Sequence, residues 1–178
     1  MSFISSIAIE NESVWAVMSR YMDQTKPLFS LVDNVMRTGE CNLSHKEREL
    51  VAAFTSSVNN CNYCYNTHKS TAEAFGIDEG LLELLSVDID SSPVENNLKP
   101  LLHYARKLTL TPSKMVQADV DNIFDAGWDE NDFHYVVMIC ATFNFFNRLI
   151  DGYGVQNTMG YRISHGKELA ENEYSLPD

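Results

Sequence analysis

Residues 44–76, SHKERELVAAFTSSVNNCNYCYNTHKSTAEAFG, decide the fold class. Ser44 and Glu47 stand at the spacing of a capping box, in which each side chain satisfies a backbone donor of the other, so a helix starts here. It carries Leu50, Val51, Ala53, Phe54 and Val58. Asn59-Asn60 interrupts the run, and Asn60 is expected as the N-cap of a second helix from Cys61 to Ala74. Gly76 supplies its stop.

The same punctuation continues on both sides. A helix is expected over residues 12–21, and Pro27 opens another that ends near Gly39. A short helix follows over 78–85, then a loop around Ser91-Ser92-Pro93 and a helix over 98–108. Thr111-Pro112-Ser113 begins the next, which ends at Ala126-Gly127, and Asp129 caps a long helix over 130–152. Strong period-2 alternation is absent. The expectation is an all-α chain: one helical bundle over 1–178 with its core at about 27–160. Residues 161–178 would be a polar tail, mobile or packed on a neighbouring subunit. In the long helix Phe133, Val136, Val137, Met138, Ile139, Cys140, Ala141, Phe143, Phe145, Phe146, Leu149 and Ile150 leave little room for a solvent face, which places it in the domain centre or between subunits. Asn144, Asn147 and Asp151 form its polar stripe. Asn144 and Asn147 either support or bind a substrate, or cap neighbouring backbone groups.

Composition narrows the function classes. The formal net charge of −12 repels nucleic acid and anionic membrane surfaces. No apolar run approaches the roughly 20 residues that span a bilayer. The N-terminal residues carry no basic region and too short an apolar stretch for a secretory signal. The expected compartment is the cytoplasm, with no membrane or nucleic acid as partner. Cys41, Cys61, Cys64 and Cys140 are too few and too scattered for a disulfide scaffold, so the close pair Cys61/Cys64 points to redox chemistry or metal binding.

Cys61, Cys64 and His68 fall at i, i+3 and i+7 and share one helix face. The pair opens its helix, where unpaired amides and the positive dipole end favour a thiolate and are expected to lower a cysteine pKa. The first cysteine of such a pair is usually the more accessible, but spacing does not decide which sulfur attacks. Glu49 lies on the preceding helix. If the two helices are antiparallel it approaches His68, with a carboxyl pKa raised by its apolar neighbours. Such a pair can move protons to and from a thiol. Two other readings stay open on the residues alone. The cysteines are buried core residues, or they join His68 and either Cys41 or Glu49 in a zinc site, although a second close ligand pair is missing.

The spacing Glu49-x11-Cys61-x-x-Cys64-x3-His68 resembles the pattern of the alkylhydroperoxidase D and carboxymuconolactone decarboxylase superfamily. Phe143-Asn144-Phe145-Phe146-Asn147-Arg148 is similar to a segment of its peroxidase-related branch, and the stretch from Leu108-Thr109 to Asp129 is similar to the approach to its last long helix. The resemblance covers about residues 27–160. It implies an all-α fold of the alkylhydroperoxidase D type, assembly into homo-oligomers with the site near subunit contacts, and reduction of hydroperoxides or exchange of thiols with disulfides. By the same resemblance Cys64 attacks and becomes a sulfenic acid, Cys61 supplies a proton and resolves it as a disulfide, and His68 and Glu49 relay protons. Where members often carry histidine before the second cysteine, this chain has Tyr63, a poor base at neutral pH with a phenol pKa of about 10, left to orient water or peroxide. No metal or bound cofactor is required, and an external dithiol or protein reductant restores the pair. The competing functions are a decarboxylase-like lyase, which needs an acid–base group and an anion site, and a non-enzymatic zinc-stabilised domain.

Overall fold

The computed structural model describes residues 3–4, 13–172 and 174. In chain order the helices are α1 (Val14–Met18), α2 (Met22–Asp33), α3 (His45–Val58), α4 (Asn62–Ala74), α5 (Leu81–Val87), α6 (Leu98–Leu110), α7 (Gln117–Asp125), α8 (Glu130–Tyr153) and α9 (Met159–Glu171). No strand occurs among the described residues, so the all-α expectation holds.

The bundle is built around α3. Its capping box forms: the Glu47 amide donates to Ser44 Oγ, and Glu47 Oε2 accepts from the Ser44 amide at 2.7 Å. Residues 48–56 are all buried. The helix is therefore surrounded, with α4, α5, α6 and α8 each packed on part of it. The link to α4 differs from the expected one. Asn60 takes a left-handed backbone with φ 57°, a conformation that asparagine tolerates, and the N-cap is Cys61 in an extended conformation. The two helices form an αα-hairpin with the first cysteine at its bend.

Two further boundaries move for local reasons. Pro27 lies inside α2 instead of opening it. The Thr25 hydroxyl donates to the Met18 carbonyl at 2.8 Å and the Tyr21 carbonyl at 3.0 Å, which ties the 3-10 turn Ser19–Tyr21 to a helix already begun at Met22. The proline then removes one amide from the first turns of that helix. At its other end α2 widens into a π turn over Asn34–Thr38, which turns Arg37 inward. Glu12, the expected start of the first helix, lies outside the described residues.

Asp129 caps α8 as expected, and Asp132 is buried where it accepts from the Asn42 amide at 2.8 Å. Length and composition make α8 apolar enough to cross a membrane, contrary to the expectation of no such run. Its face of Val136, Ile139, Cys140, Phe143, Phe146 and Ile150 is buried in the bundle, whereas Phe145 is 46% exposed, so the helix is not enclosed all round.

The largest difference is at the C-terminal end. The stretch expected as a tail forms α9, N-capped by Thr158, and it lies along α4 of the same chain. Its sequence is polar and holds a glycine, so it lacks an apolar period. Gly166 explains how it docks. The backbones approach so closely that a Cβ there would overlap the Thr67 carbonyl oxygen and the Ser70 side chain. The Ser70 hydroxyl donates to the Ile163 carbonyl at 3.0 Å across the same contact. Residues 173 and 175–178 lie outside the described residues.

Gly166→Ala separates packing from propensity. In an open helix the change adds about 0.5–1 kcal/mol of stability, whereas overpacking costs about 1–3 kcal/mol. We expect a net loss of about 1–2 kcal/mol in urea unfolding. A stabilised variant would contradict the close approach of α9 to α4.

Candidate active site

The hairpin of α3 and α4 sets Glu49 against His68, lets His68 and Cys64 border one cavity, and leaves Cys61 at the bend. Glu49 is fully buried, and its Oε2 lies 2.7 Å from His68 Nδ1. A carboxylate only accepts, so Nδ1 carries the proton and Nε2 is left as an acceptor. The Phe143 ring meets the imidazole edge-on with centroids 4.4 Å apart.

Two partners that the sequence reading missed complete the carboxylate. Arg37, on the π turn, pairs with Glu49 Oε1 at 2.8 Å. Tyr174, beyond α9, donates its hydroxyl to the same oxygen at 2.8 Å. Arg37 also donates to the carbonyls of Met36 and Leu169, and its guanidinium lies over the rings of Phe75 and Tyr174 at 5.1 and 4.7 Å. These contacts reverse the expected shift. Burial is the largest influence on Glu49 and raises its pKa. The His68 and Arg37 charges, with hydrogen bonds from His68 and Tyr174, outweigh burial and hold the carboxyl below its ordinary value. Glu49 is thus a permanent acceptor that orients His68 and not a poised acid. Nothing in the composition of 161–178 marks Tyr174, and a single arginine after an apolar helix has no local partner to announce it.

Cys61 and Cys64 are free thiols. Cys61, at the bend, is wholly enclosed; Cys64, one turn into α4, borders a cavity of about 260 Å³ together with His68. The second cysteine is therefore the accessible one. Its thiol is pushed well above the ordinary 9.0, first by its hydrogen bond with Cys61, then by burial and by the proximity of the Cys61 sulfur. The expected lowering by the helix start is overturned, because the enclosed neighbouring sulfur and lost solvation exceed the amide field. Only a hydrogen bond from Asn147 acts the other way among the named influences, and the Asp151 charge adds to the rise.

Asn147 accepts from Asn59 Nδ2 at 2.9 Å and donates to Ser56 Oγ at 3.0 Å, so it ties α8 to the hairpin bend beside Cys64. Asn144 also accepts from Asn59, at 3.1 Å, and donates to Thr109 Oγ1 and the Cys140 carbonyl at 3.0 Å. Neither asparagine borders the cavity, and both brace the bend. Tyr63 does border it. Its oxygen accepts from the Val14 amide at 3.4 Å, holding α1 over the site, and burial raises its pKa further. The other walls are mostly apolar: Trp15, Met18, Phe29, Val32, Phe146 and Leu169. His165 on α9 joins them, its pKa lowered chiefly by burial. Among the described residues no three His, Cys, Asp or Glu side chains are grouped to hold a metal ion.

The sequence pattern of the Carboxymuconolactone decarboxylase family matches residues 26–88, the segment that holds Arg37, Glu49, both cysteines and His68. The uncharacterized protein YdfG of Bacillus subtilis (strain 168) is 25% identical over 119 residues, 67% of this chain and 81% of the relative. The crystal structure of an alkylhydroperoxidase AhpD core, a peroxidase-related protein from Ralstonia eutropha JMP134, superposes with a TM-score of 0.78 at 20% identity, covering 86% of this chain and 80% of that one. A peroxidase-related protein from Silicibacter sp. TM1040 gives 0.74 at 24% identity, covering 82% and 78%. At these identities the structural likeness is one of fold.

Glu49→Ala leaves the Arg37 charge buried without its partner and the His68 Nδ1–H without its acceptor, and is expected to cost about 3–5 kcal/mol at pH 7. The folded carboxyl titrates lower than the unfolded one, so its contribution is present above the ordinary 4.5 and lost as pH falls through the folded value. Urea unfolding of both proteins across that range should show the difference shrinking in acid. A constant difference would refute the ion pairing.

Proposed function

We propose that this chain, whose residues 26–88 match the Carboxymuconolactone decarboxylase family pattern and whose fold is that of the peroxidase-related structures, is a cysteine-based oxidoreductase reducing hydroperoxides through Cys64 and Cys61. One observation carries the reading: the thiol that borders the cavity shares it with an imidazole whose Nδ1 proton is committed to a buried carboxylate.

The chemistry follows from that arrangement. At rest the Cys64 thiol is protonated, so attack needs a base, and Nε2 of His68 is the available one. As the proton moves to Nε2, Glu49 stabilises the imidazolium. The Cys64 sulfur attacks the terminal peroxide oxygen, the O–O bond breaks, and the alkoxide leaves as an alcohol with the proton from His68. Cys64 is now a sulfenic acid. The Cys61 thiol attacks it, water leaves, and a disulfide closes, which protects the sulfur from overoxidation. A dithiol or a protein reductant returns both thiols by exchange and is itself oxidised. The largely apolar, aromatic lining of the cavity supports an organic hydroperoxide with an apolar body. Among the described residues the walls offer no lysine or arginine to an anionic lactone acid, which counts against the lyase. Assembly into homo-oligomers is part of the proposal, and the exposed Phe145 and Leu84 support it.

Peroxide consumption with a dithiol donor tests the reading. Cys64→Ser should lose turnover at least a hundredfold, the low end for removing a group that forms the covalent intermediate. Cys61→Ser should complete one turnover and then stall as a sulfenic acid that dimedone traps. Cumene hydroperoxide should be preferred over hydrogen peroxide. Full turnover by Cys64→Ser would overturn the proposal.

A further inference from the structure

We propose that Tyr174 is a positioning residue of this site: acting through Glu49, its hydroxyl fixes His68 in the tautomer that leaves Nε2 free to face a proton donor. The assignment rests on how the two carboxylate oxygens are shared. Oε1 receives the Tyr174 hydroxyl and the Arg37 guanidinium, each at 2.8 Å, and Oε2 receives His68 Nδ1 at 2.7 Å. Two donors fill one oxygen and turn the other toward the imidazole. The Tyr174 oxygen also lies 3.2 Å from Nδ1, where it is a second acceptor for the same Nδ1 proton.

The ring adds a second constraint. It stacks on His68 with centroids 6.2 Å apart and planes 20° from parallel, and Phe143 blocks the imidazole edge-on. The imidazole is thus held in plane by one aromatic ring and along its edge by another. Burial, and then the Glu49 charge, push the Tyr174 hydroxyl well above its ordinary 10.0, so at pH 7 it is a donor. The segment that carries it is itself fixed to the site. The Tyr174 amide donates to Asp33 Oδ1 at 3.1 Å, and Arg37 donates to the Leu169 carbonyl at 2.8 Å. Arg37 therefore holds both the carboxylate and the chain that delivers the tyrosine. The tautomer assignment is independent of the thiol chemistry. Only its consequence, proton transfer from Cys64, rests on the function proposed above.

The test compares the full-length reduced protein with Tyr174→Phe, which keeps the ring and removes the hydroxyl. Nitrogen-15 NMR reads the His68 tautomer at pH 7, and iodoacetamide reads the alkylation rate of Cys64. Wild type should show the Nδ1–H form alone. In Tyr174→Phe the ratio of the Nε2–H to the Nδ1–H form should rise about tenfold, the effect of losing one hydrogen bond to a charged acceptor, and Cys64 alkylation should slow in proportion to the Nδ1–H fraction lost. Wild-type tautomer and rate in the folded variant would overturn the proposal. So would an Nε2–H tautomer in wild type, a result that needs no variant. Because neither readout uses peroxide, a failure of the peroxidase reading leaves this result standing and distinguishable.

Discussion

A carboxylate removed from water has to be surrounded by donors, and Glu49 is wholly buried on the most enclosed helix of the fold. Its donors arrive from three separate parts of the chain: the π turn after α2, the middle of α4 and the segment beyond α9. None of these is a neighbour in sequence. Leaving one ion of a buried pair without its partner is far more harmful than replacing both by apolar groups. The charge at Glu49 therefore ties correct folding of the N-terminal, central and C-terminal elements to the integrity of one small site.

The cysteine pair is set by a different constraint, the bend between α3 and α4. A left-handed residue at Asn60 turns the chain, and Cys61 fills the capping position with its thiol inward. One turn later Cys64 points to the cavity. Asn144 and Asn147 brace this bend from α8 by accepting from the Asn59 amide. The two sulfurs thus differ in exposure although they differ little in sequence context, and the resting thiol is a weak acid. Reactivity then depends on the base beside it, which couples the bend to the carboxylate site.

The parts of this arrangement that repeat locally were legible in the sequence. The Ser44 and Asp129 caps and the common face of Cys61, Cys64 and His68 all follow from spacing, whereas α8, expected to be apolar nearly all round, buries one face only. Glu49 was placed opposite His68 by assuming an antiparallel hairpin, and the geometry agrees. What escaped was non-local. Helix α9 has no apolar stripe because a glycine approach and a hydroxyl–carbonyl contact dock it. Arg37 and Tyr174 have meaning only once the chain has folded back on itself. The direction of the Glu49 and Cys64 shifts was misjudged for the same reason, since both depend on partners that burial brings together.

The π turn over Asn34–Thr38 holds one more residue per turn than the helix before it. An α-helix advances about 100° per residue, so removing a single residue there would restore regular winding and rotate Arg37 by roughly that angle. The guanidinium would swing from the carboxylate toward another face while the rest of α2 kept its length almost unchanged. The site is thus indexed to the winding of that turn: losing one residue there, with little change in the length of the helix, would uncouple its cation from everything it anchors.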